Sequence, residues 1–143
     1  GSEKIRTLSH TSPFFHWTFR MSKRLNKTVG KSGERLAEEY LRKKGYRFVE
    51  RNYTTEIGEI DLIFTDGNCL VFVEVKARAT EEFGRPAEAV DHRKQRKISR
   101  VAGEYIKRNM YFGAAVRFDV VEVFTSDGHI EHIENAFDSY LKY

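Results

Sequence analysis

The chain has 143 residues, of which 40% are hydrophobic and 32% are charged, with a formal net charge of +4. This length accommodates one domain with a substantial core and is short for two, so we expect a single functional site. The pI of about 9.2 is compatible with an anionic partner without requiring one. A single cysteine, Cys69, excludes an internal disulfide framework and a multi-cysteine zinc site. With no apolar run near the roughly 18 residues of a membrane span, these features predict a cytoplasmic protein.

Residues 1–28 are expected to form an N-terminal arm, followed by a single domain over residues 29–143. Gly1 and Ser2 look like a cloning remnant, and His16 interrupts the aromatic residues of the leader, which argues against a secretory signal. The arm contains a basic cluster that is either a solvated tail or a nucleic-acid contact: Arg20, Lys23, Arg24 and Lys27.

The first half of the domain reads as one helix and three strands. The segment GKSGERLAEEYLRKK (residues 30–44) carries an apolar stripe and ends before Gly45, which predicts a helix. YRFVERNY (46–53) and GEIDLIF (58–64) have strand patterns. After the turn TDGN, the segment CLVFVEVK (69–76) reads as a strand covered on both faces.

The second half begins with a loop from Ala77 to about Arg85. A second helix follows from about Val90 to Ile106, with the basic run HRKQRK on its outer face. VRFDVVEVF and the shorter HIEHI read as further strands. This order of elements predicts an α/β fold with a mixed sheet and helices packed on it.

Three charged residues lie inside the two central strands. Glu74 and Lys76 are two residues apart and therefore project from the same face. If the strands form a hairpin about TDGN, Asp61 lies beside Glu74 on the neighbouring strand. Two buried carboxylates repel one another, so a cation is needed to stabilise such a pair. Carboxylate oxygens suit Mg²⁺ or Mn²⁺, and an adjacent lysine suits phosphodiester hydrolysis by an activated water.

Glu34 is a further candidate on the first helix. It borders the apolar stripe through Ala37 and Leu41 and would complete the site from across the sheet face. The alternative is that Glu34 stabilises the positive N-terminal end of its helix. Periodicity does not distinguish these two roles.

The segments GKSGERLAEEYL, GEIDLIF, FVEVKAR, KQRKI and RFDVVEV, in this order, resemble the YraN family of bacterial proteins. That family is regarded as endonuclease-like, within the PD-(D/E)XK superfamily, and similar in core to archaeal Holliday-junction resolvases. The resemblance implies a restriction-endonuclease-like core with a mixed central sheet flanked by helices. It implies Asp61 as the motif aspartate, Glu74 and Lys76 as the E-x-K pair, and Glu34 as the first-helix glutamate. Ile60, and not proline, precedes Asp61, a departure that the superfamily tolerates.

Several basic residues are candidates for binding nucleic acid. We expect this role for Arg78 at the end of the third strand and, on the second helix, for Arg93, Lys94, Gln95 and Lys97. The alternative for the helix is a solvated basic face. For Asp119 a structural role is favoured, and the five histidines show no zinc-like arrangement.

The leading hypothesis is therefore a Mg²⁺- or Mn²⁺-dependent endonuclease that acts on DNA, with branched or flapped DNA among the candidate substrates. Asp61 and Glu74 would hold the metal, and Glu34 and Lys76 would complete the catalytic set. A homodimer is an option, because a symmetric junction has two equivalent strands to cut. The alternatives are a noncatalytic nucleic-acid-binding protein and a protein-interaction module.

Overall fold

The computed structural model of the protein describes residues 32–79 and 91–138. The predicted arm, residues 29–31, most of the predicted loop after Ala77, and residues 139–143 lie outside this range. The described elements, in chain order, are helix α1 (32–43), strands β1 (Arg47–Thr54), β2 (Glu59–Asp66) and β3 (Cys69–Arg78), helix α2 (His92–Arg108), and strands β4 (Ala115–Phe124) and β5 (Ile130–Ile133).

The strands form a five-stranded mixed sheet in the order β1-β2-β3-β4-β5. The β1–β2, β2–β3 and β4–β5 pairs are antiparallel, and the central β3–β4 pair is parallel. Parallel neighbours need a long connection, and α2 lies in the connection between β3 and β4. The predicted mixed α/β architecture is thus confirmed.

Each helix covers a different face of the sheet. On one face, α1 packs through Leu36, Ala37 and Leu41 against the strand residues Leu62, Phe64, Val71, Val73, Val121 and Val123. On the other face, α2 packs through Ile98, Val101, Ala102, Tyr105 and Ile106 against Ile60, Ile63, Phe72, Phe118 and Val120. Strand β3 contributes alternate residues to both clusters, as its continuous apolar sequence predicts. The two faces are called the α1 face and the α2 face below.

Local sequence signals explain where these elements begin and end. Gly45, two residues after the end of α1, has φ 101°, a conformation that glycine adopts without steric cost. Gly67 has φ 59° in the tight turn that joins β2 to β3. Asp91 caps α2, because its carboxylate accepts a hydrogen bond from the backbone N–H of Lys94 at 2.9 Å. These signals fix the β2–β3 hairpin and the first turn of α2.

The outer strand β1 is irregular. Its pairing with β2 shifts register between Phe48 and Glu50, and Asn52 has φ 52° in the left-handed region. Most of its side chains are exposed. Across both described ranges, no helix combines the length and apolar character that crossing a membrane requires.

Candidate active site

The β2–β3 hairpin brings Asp61 and Glu74 together. The paired register of the two strands runs from Asp66 and Cys69 to Leu62 and Val73. Beyond that last pair, the Asp61 carboxylate accepts a hydrogen bond from the backbone N–H of Val75 at 2.8 Å. The Asp61 side chain thus takes the place of a backbone acceptor where the two strands stop pairing. Its carboxylate is held beside the C-terminal half of β3.

Glu74 is buried, with 5% of its surface exposed, and the Asp61 carboxyl group is close enough to act on its charge. Burial, and then the neighbouring Asp61, raise the pKa of Glu74 well above its ordinary value, while Lys94 and Lys76 oppose the rise. Two ionised carboxylates this close repel one another in a buried site, so a cation bound between them would stabilise the pair.

Lys76 projects from the same face as Glu74, as the strand alternation predicts, and is half-buried. Lys94 of α2 comes close enough for its charge to act on Lys76. Burial and then the Lys94 charge lower the pKa of Lys76, against the opposing effects of Glu74 and Asp61. The site therefore contains two carboxyl groups from the hairpin and two amines, one from β3 and one from α2.

Lys94 was predicted only to bind nucleic acid. Its position near Glu74 was not predicted. A usable signal was present, because Lys94 lies four residues before Ile98, and Ile98, Val101, Ala102 and Tyr105 form the buried stripe of α2. Lys94 therefore lies one helical turn before the buried stripe and on the same side of α2. At that position it faces the sheet at the point where the apolar core ends. The spacing therefore indicated which lysine of the basic run would meet β3.

Arg78 lies at the end of β3 and forms an ion pair with Glu122 of β4. The Glu122 side chain is fully buried, and only 15% of the Arg78 side chain is exposed. Burial raises the pKa of Glu122 even though Arg78 opposes the rise. Arg78, predicted as a phosphate contact, thus neutralises a buried carboxylate, and its contact with a phosphate stays a prediction. Sequence reasoning did not single out Glu122, because its register opposite Lys76 depends on the parallel β3–β4 pairing.

Glu34 lies on α1, and its membership of the catalytic set stays a prediction. Its helix packs on the α1 face, whereas Glu74 and Lys76 project from the α2 face. Glu34 lines a cavity of about 430 Å³ together with Arg35, Glu38, Arg51, Asn52 and Leu62. Within residues 32–79 and 91–138, no group of three or more His, Cys, Asp or Glu side chains is arranged to hold a metal ion.

A basic groove lies next to the site, between α2 and the loop that joins β1 to β2. It measures about 930 Å³ and is lined by Glu56, Ile57, Arg93, Arg96, Lys97 and Arg100. The Lys97 side chain packs on Gly58, where an added Cβ would lie 3.2 Å from Lys97 Cε. Arg93 and Lys97, both predicted to bind nucleic acid, therefore belong to one concave surface. Gln95 is half-buried on the same helix.

Asp119 has the structural role that the sequence favours. It is fully buried on β4, where its carboxylate accepts hydrogen bonds from Arg117 Nε at 2.9 Å and from the Asn135 backbone N–H at 3.0 Å. His132 Nε2 lies 2.7 Å from Asp119 Oδ2, and the His132 ring contacts Tyr40 and Tyr46 edge-on. This network joins the β4–β5 hairpin to α1, on the face opposite the candidate site.

The fold and the site define a mixed α/β protein with two carboxyl groups and two lysines gathered at the end of a β-hairpin. Comparison with known families matches residues 33–123 to the model of the "Uncharacterised protein family UPF0102". The chain belongs to this family, which confirms the YraN-like membership that the ordered motifs predict.

Two relatives illustrate the extent of the similarity. The UPF0102 protein of Desulfosudis oleivorans is 51% identical over 112 residues, covering 78% of this chain and 91% of the relative. The UPF0102 protein of Alkaliphilus metalliredigens is 46% identical over 114 residues, covering 79% of this chain and 100% of the relative.

Among solved structures, the chain is similar to Pyrococcus furiosus SfsA in complex with Ca²⁺, with 16% identity and a TM-score of 0.33. The similarity covers 76% of this chain and 63% of that one. At this level it defines neither the fold nor the function.

Proposed function

We propose that this protein is a Mg²⁺- or Mn²⁺-dependent endonuclease that hydrolyses DNA phosphodiester bonds. The observation that carries the proposal is that the β2–β3 hairpin holds the Asp61 carboxylate on the backbone N–H of Val75, next to buried Glu74, with Lys76 on the same face of β3 as Glu74. Two acids and a lysine in this arrangement match the Asp and E-x-K residues of the PD-(D/E)XK superfamily. A restriction-endonuclease-like core, and activity on branched DNA in the cytoplasm, are parts of the same proposal.

The residues present fit a hard divalent cation. Asp61 and Glu74 offer carboxylate oxygens, which Mg²⁺ and Mn²⁺ prefer, and their mutual contact is unfavourable when both are ionised. Asp61 and Glu74 would hold the cation, which when bound lowers the pKa of a coordinated water and stabilises charge that develops on the phosphate. Burial and the neighbouring Asp61 raise the pKa of Glu74 well above its ordinary value, and a bound cation would offset both effects.

The chain's own residues contribute orientation and charge. The Val75 N–H fixes the Asp61 carboxylate, so this acceptor is in position before any ligand binds. The Lys76 ammonium is placed to donate hydrogen bonds to a phosphate oxygen or to an attacking water. The basic groove of α2 provides positive charge along the path of the DNA backbone. Together these groups would bind a phosphodiester and stabilise the charge of its transition state.

The proposal is tested by titrating Mn²⁺ calorimetrically into wild type, Glu74→Ala and Glu50→Ala. Glu50 is an exposed carboxylate on β1 and serves as the matched control. The same proteins are then incubated with labelled linear, flapped and four-way-junction DNA. We expect Mn²⁺ binding and cleavage in wild type and Glu50→Ala, and loss of both in Glu74→Ala. Cleavage that persists in a highly purified Glu74→Ala preparation would overturn the proposal.

The basic groove supports a second candidate function, a noncatalytic nucleic-acid-binding protein. Four cationic side chains, from Arg93, Arg96, Lys97 and Arg100, line one concave surface. This alternative predicts DNA affinity that falls steeply with salt, without any cleaved product in Mg²⁺ or Mn²⁺. Under this alternative, Glu74→Ala should bind DNA as tightly as wild type does, because the residues that line the groove do not include Asp61 or Glu74.

A further inference from the structure

We propose that the turn between α2 and β4 binds unpaired bases of a nucleic-acid strand whose backbone runs along α2. Three residues of this turn, Met110, Tyr111 and Phe112, are called the aromatic tip below. The inference deepens the proposed nuclease function and rests on it for the identity of the ligand. It adds a base-binding site and names a substrate class, nucleic acid with a single-stranded segment.

The first argument is the exposure of three consecutive apolar side chains. Within the described residues, four large apolar side chains are exposed, and three of them form the aromatic tip. The exposed fractions are 77% for Met110, 45% for Tyr111 and 61% for Phe112. Single apolar residues are common on protein surfaces, but a contiguous group of them indicates a binding surface. A ligand therefore explains the composition of the tip better than the fold does.

The second argument is that the fold holds the aromatic tip in place. The Tyr111 backbone N–H donates a hydrogen bond to the Ile106 carbonyl at 2.9 Å, and the Ala114 N–H donates to the Tyr111 carbonyl at 3.1 Å. The Tyr111 ring stacks on buried Tyr105, with ring centroids 6.2 Å apart and 22° between the ring planes. Because packing on the core already orders this ring, stacking a base on its exposed part would cost little side-chain entropy.

The third argument is that positive charge connects the aromatic tip with the basic groove. A second cavity, of about 590 Å³, shares Glu56 and Ile57 with that groove and is lined by Arg108 in the last turn of α2. Lys107 and Arg108 stand close before the tip in the chain, and Glu104, the single acidic residue of α2, is paired with Arg108 at 3.3 Å. Cationic residues thus follow α2 from its first turn to the tip. Aromatic rings beside such a basic track suit a single nucleic-acid strand, which offers both phosphates and bases.

The fourth argument is the separation between the tip and the candidate active site. Strand β4 begins with Ala115, which pairs with Cys69, so the tip lies at the end of β3 away from Glu74. Helix α2 has 17 residues and is about 25 Å long, a distance that about seven nucleotides span at a spacing of 3.4 Å. Bases stack on a side chain only when they are free of the duplex. The arrangement therefore fits a substrate with several unpaired nucleotides beside the bond that is cut.

The test compares two labelled oligomers of about ten nucleotides and equal charge, an oligothymidylate and an oligomer of abasic sites. Their binding to the full chain is measured by fluorescence anisotropy with a chelator present. The proteins are wild type, Phe112→Ala, Phe112→Leu, Phe112→Trp and Val49→Ala. Val49 is the exposed large apolar residue of β1 and provides the matched control.

Loss of the ring should weaken binding only where bases are present. We expect Phe112→Ala and Phe112→Leu to weaken oligothymidylate binding about five-fold or more, because leucine is apolar but offers no ring for stacking. Phe112→Trp should bind at least as tightly as wild type, and Val49→Ala should match wild type. All five proteins should bind the abasic oligomer with the same affinity.

Salt dependence separates base contacts from phosphate contacts. Phe112→Ala should leave the slope of log affinity against log salt unchanged, whereas Arg100→Ala, in the basic groove, should make it shallower by about one. Three outcomes would each overturn the proposal: a wild-type chain that does not bind the oligothymidylate, affinity that is unaffected by Phe112→Ala, and an equal loss with the abasic oligomer or in Val49→Ala.

Sedimentation measures whether the aromatic tip instead joins two copies of the chain. We expect wild type and Phe112→Ala to have the same molecular mass in solution. A dimeric wild type with a monomeric Phe112→Ala would overturn the proposal, because the tip would then be an interface between copies.

The base-binding tip and the nuclease function can fail separately. Phe112-dependent oligothymidylate binding without any DNA cleavage would support the tip and overturn the nuclease function. Glu74-dependent cleavage with oligothymidylate binding that is indifferent to Phe112 would support the nuclease and overturn the tip.

Discussion

The carboxylate of Asp61 accepts a hydrogen bond from the backbone N–H of Val75, the residue that directly follows Glu74 on the neighbouring strand. One interaction thus completes the end of the β2–β3 ladder and orients an acid of the candidate site. Asp61 therefore contributes to the stability of the fold and, in the proposed function, to metal binding. Suitable substitutions at Asp61 separate these two contributions.

For Asp61, we expect Asp61→Asn to preserve stability and Asp61→Ala to reduce it. The asparagine carbonyl can still accept the Val75 N–H, whereas alanine leaves this half-buried donor without its acceptor, at a cost of about 1–3 kcal/mol. Both variants should lose Mn²⁺ binding, because each removes a negative charge. Urea unfolding and Mn²⁺ calorimetry measure the two effects, and equal free energies of unfolding for the two variants would contradict the structural part.

For Glu74, we expect the free energy of unfolding to fall as pH rises when divalent cations are chelated. Above the ordinary pKa of 4.5, the unfolded chain releases a proton that folded Glu74 retains, so stability is lost as pH rises through the raised pKa. The slope in this window is at most about 1.4 kcal/mol per pH unit. Urea unfolding between about pH 5 and pH 9 measures it.

Glu74→Gln should flatten this pH dependence and should be more stable than wild type at the alkaline end, because its amide is neutral at every pH. Glu50→Gln, on the exposed face of β1, should follow the wild-type curve. A wild-type slope that survives in Glu74→Gln would assign the titration to another group.

For the ion pair between Arg78 of β3 and Glu122 of β4, we expect Arg78→Met to destabilise the protein by about 3–5 kcal/mol. The substitution leaves Glu122 buried without a cation. The double variant Arg78→Met with Glu122→Gln should recover part of this loss, since its buried amide carries no charge. Urea unfolding of both variants and of Glu122→Gln gives the coupling between the two sites. Additive effects would show that the ion pair contributes no coupling.

For Asp119, we expect Asp119→Asn to lower the free energy of unfolding at neutral pH by about 1.5–3 kcal/mol, the range for hydrogen bonds to charged groups. Burial opposes ionisation of Asp119, but hydrogen bonds from His132 and Arg117 outweigh it and lower its pKa. Its stabilising contribution is therefore present above the ordinary value of 3.8 and is lost as pH falls through the lowered pKa. DNA affinity, measured on folded protein, should be unchanged, because this network lies on the α1 face.

Local patterns were sufficient to predict most of the elements. The hairpin from β2 to β3 follows from two apolar runs about an Asp-Gly turn, and this hairpin alone places Asp61 beside Glu74. The predicted helices agree with α1 and α2 to within a few residues over the described range. In each case the signal lies within a few residues of the structure that it determines.

Features that depend on distant packing were not predictable in the same way. The parallel register that sets Lys76 opposite Glu122 joins residues 46 positions apart, and no local pattern specifies it. Likewise, Glu34 borders an apolar stripe as predicted, but the choice of sheet face for α1 places it in a separate cavity. The approach of Lys94 to Lys76 depends on the orientation of α2 on the sheet, which its buried stripe determines.

The irregular outer strand β1 has a consequence for self-association. A regular edge strand offers unpaired backbone groups to the same strand of another molecule, and two copies then join into one continuous sheet. The register shift after Phe48 and the left-handed Asn52 interrupt that template. At the opposite edge, β5 spans only four residues. Edge-to-edge strand addition is therefore disfavoured along the described sheet, and a dimer would bury helix or loop surfaces.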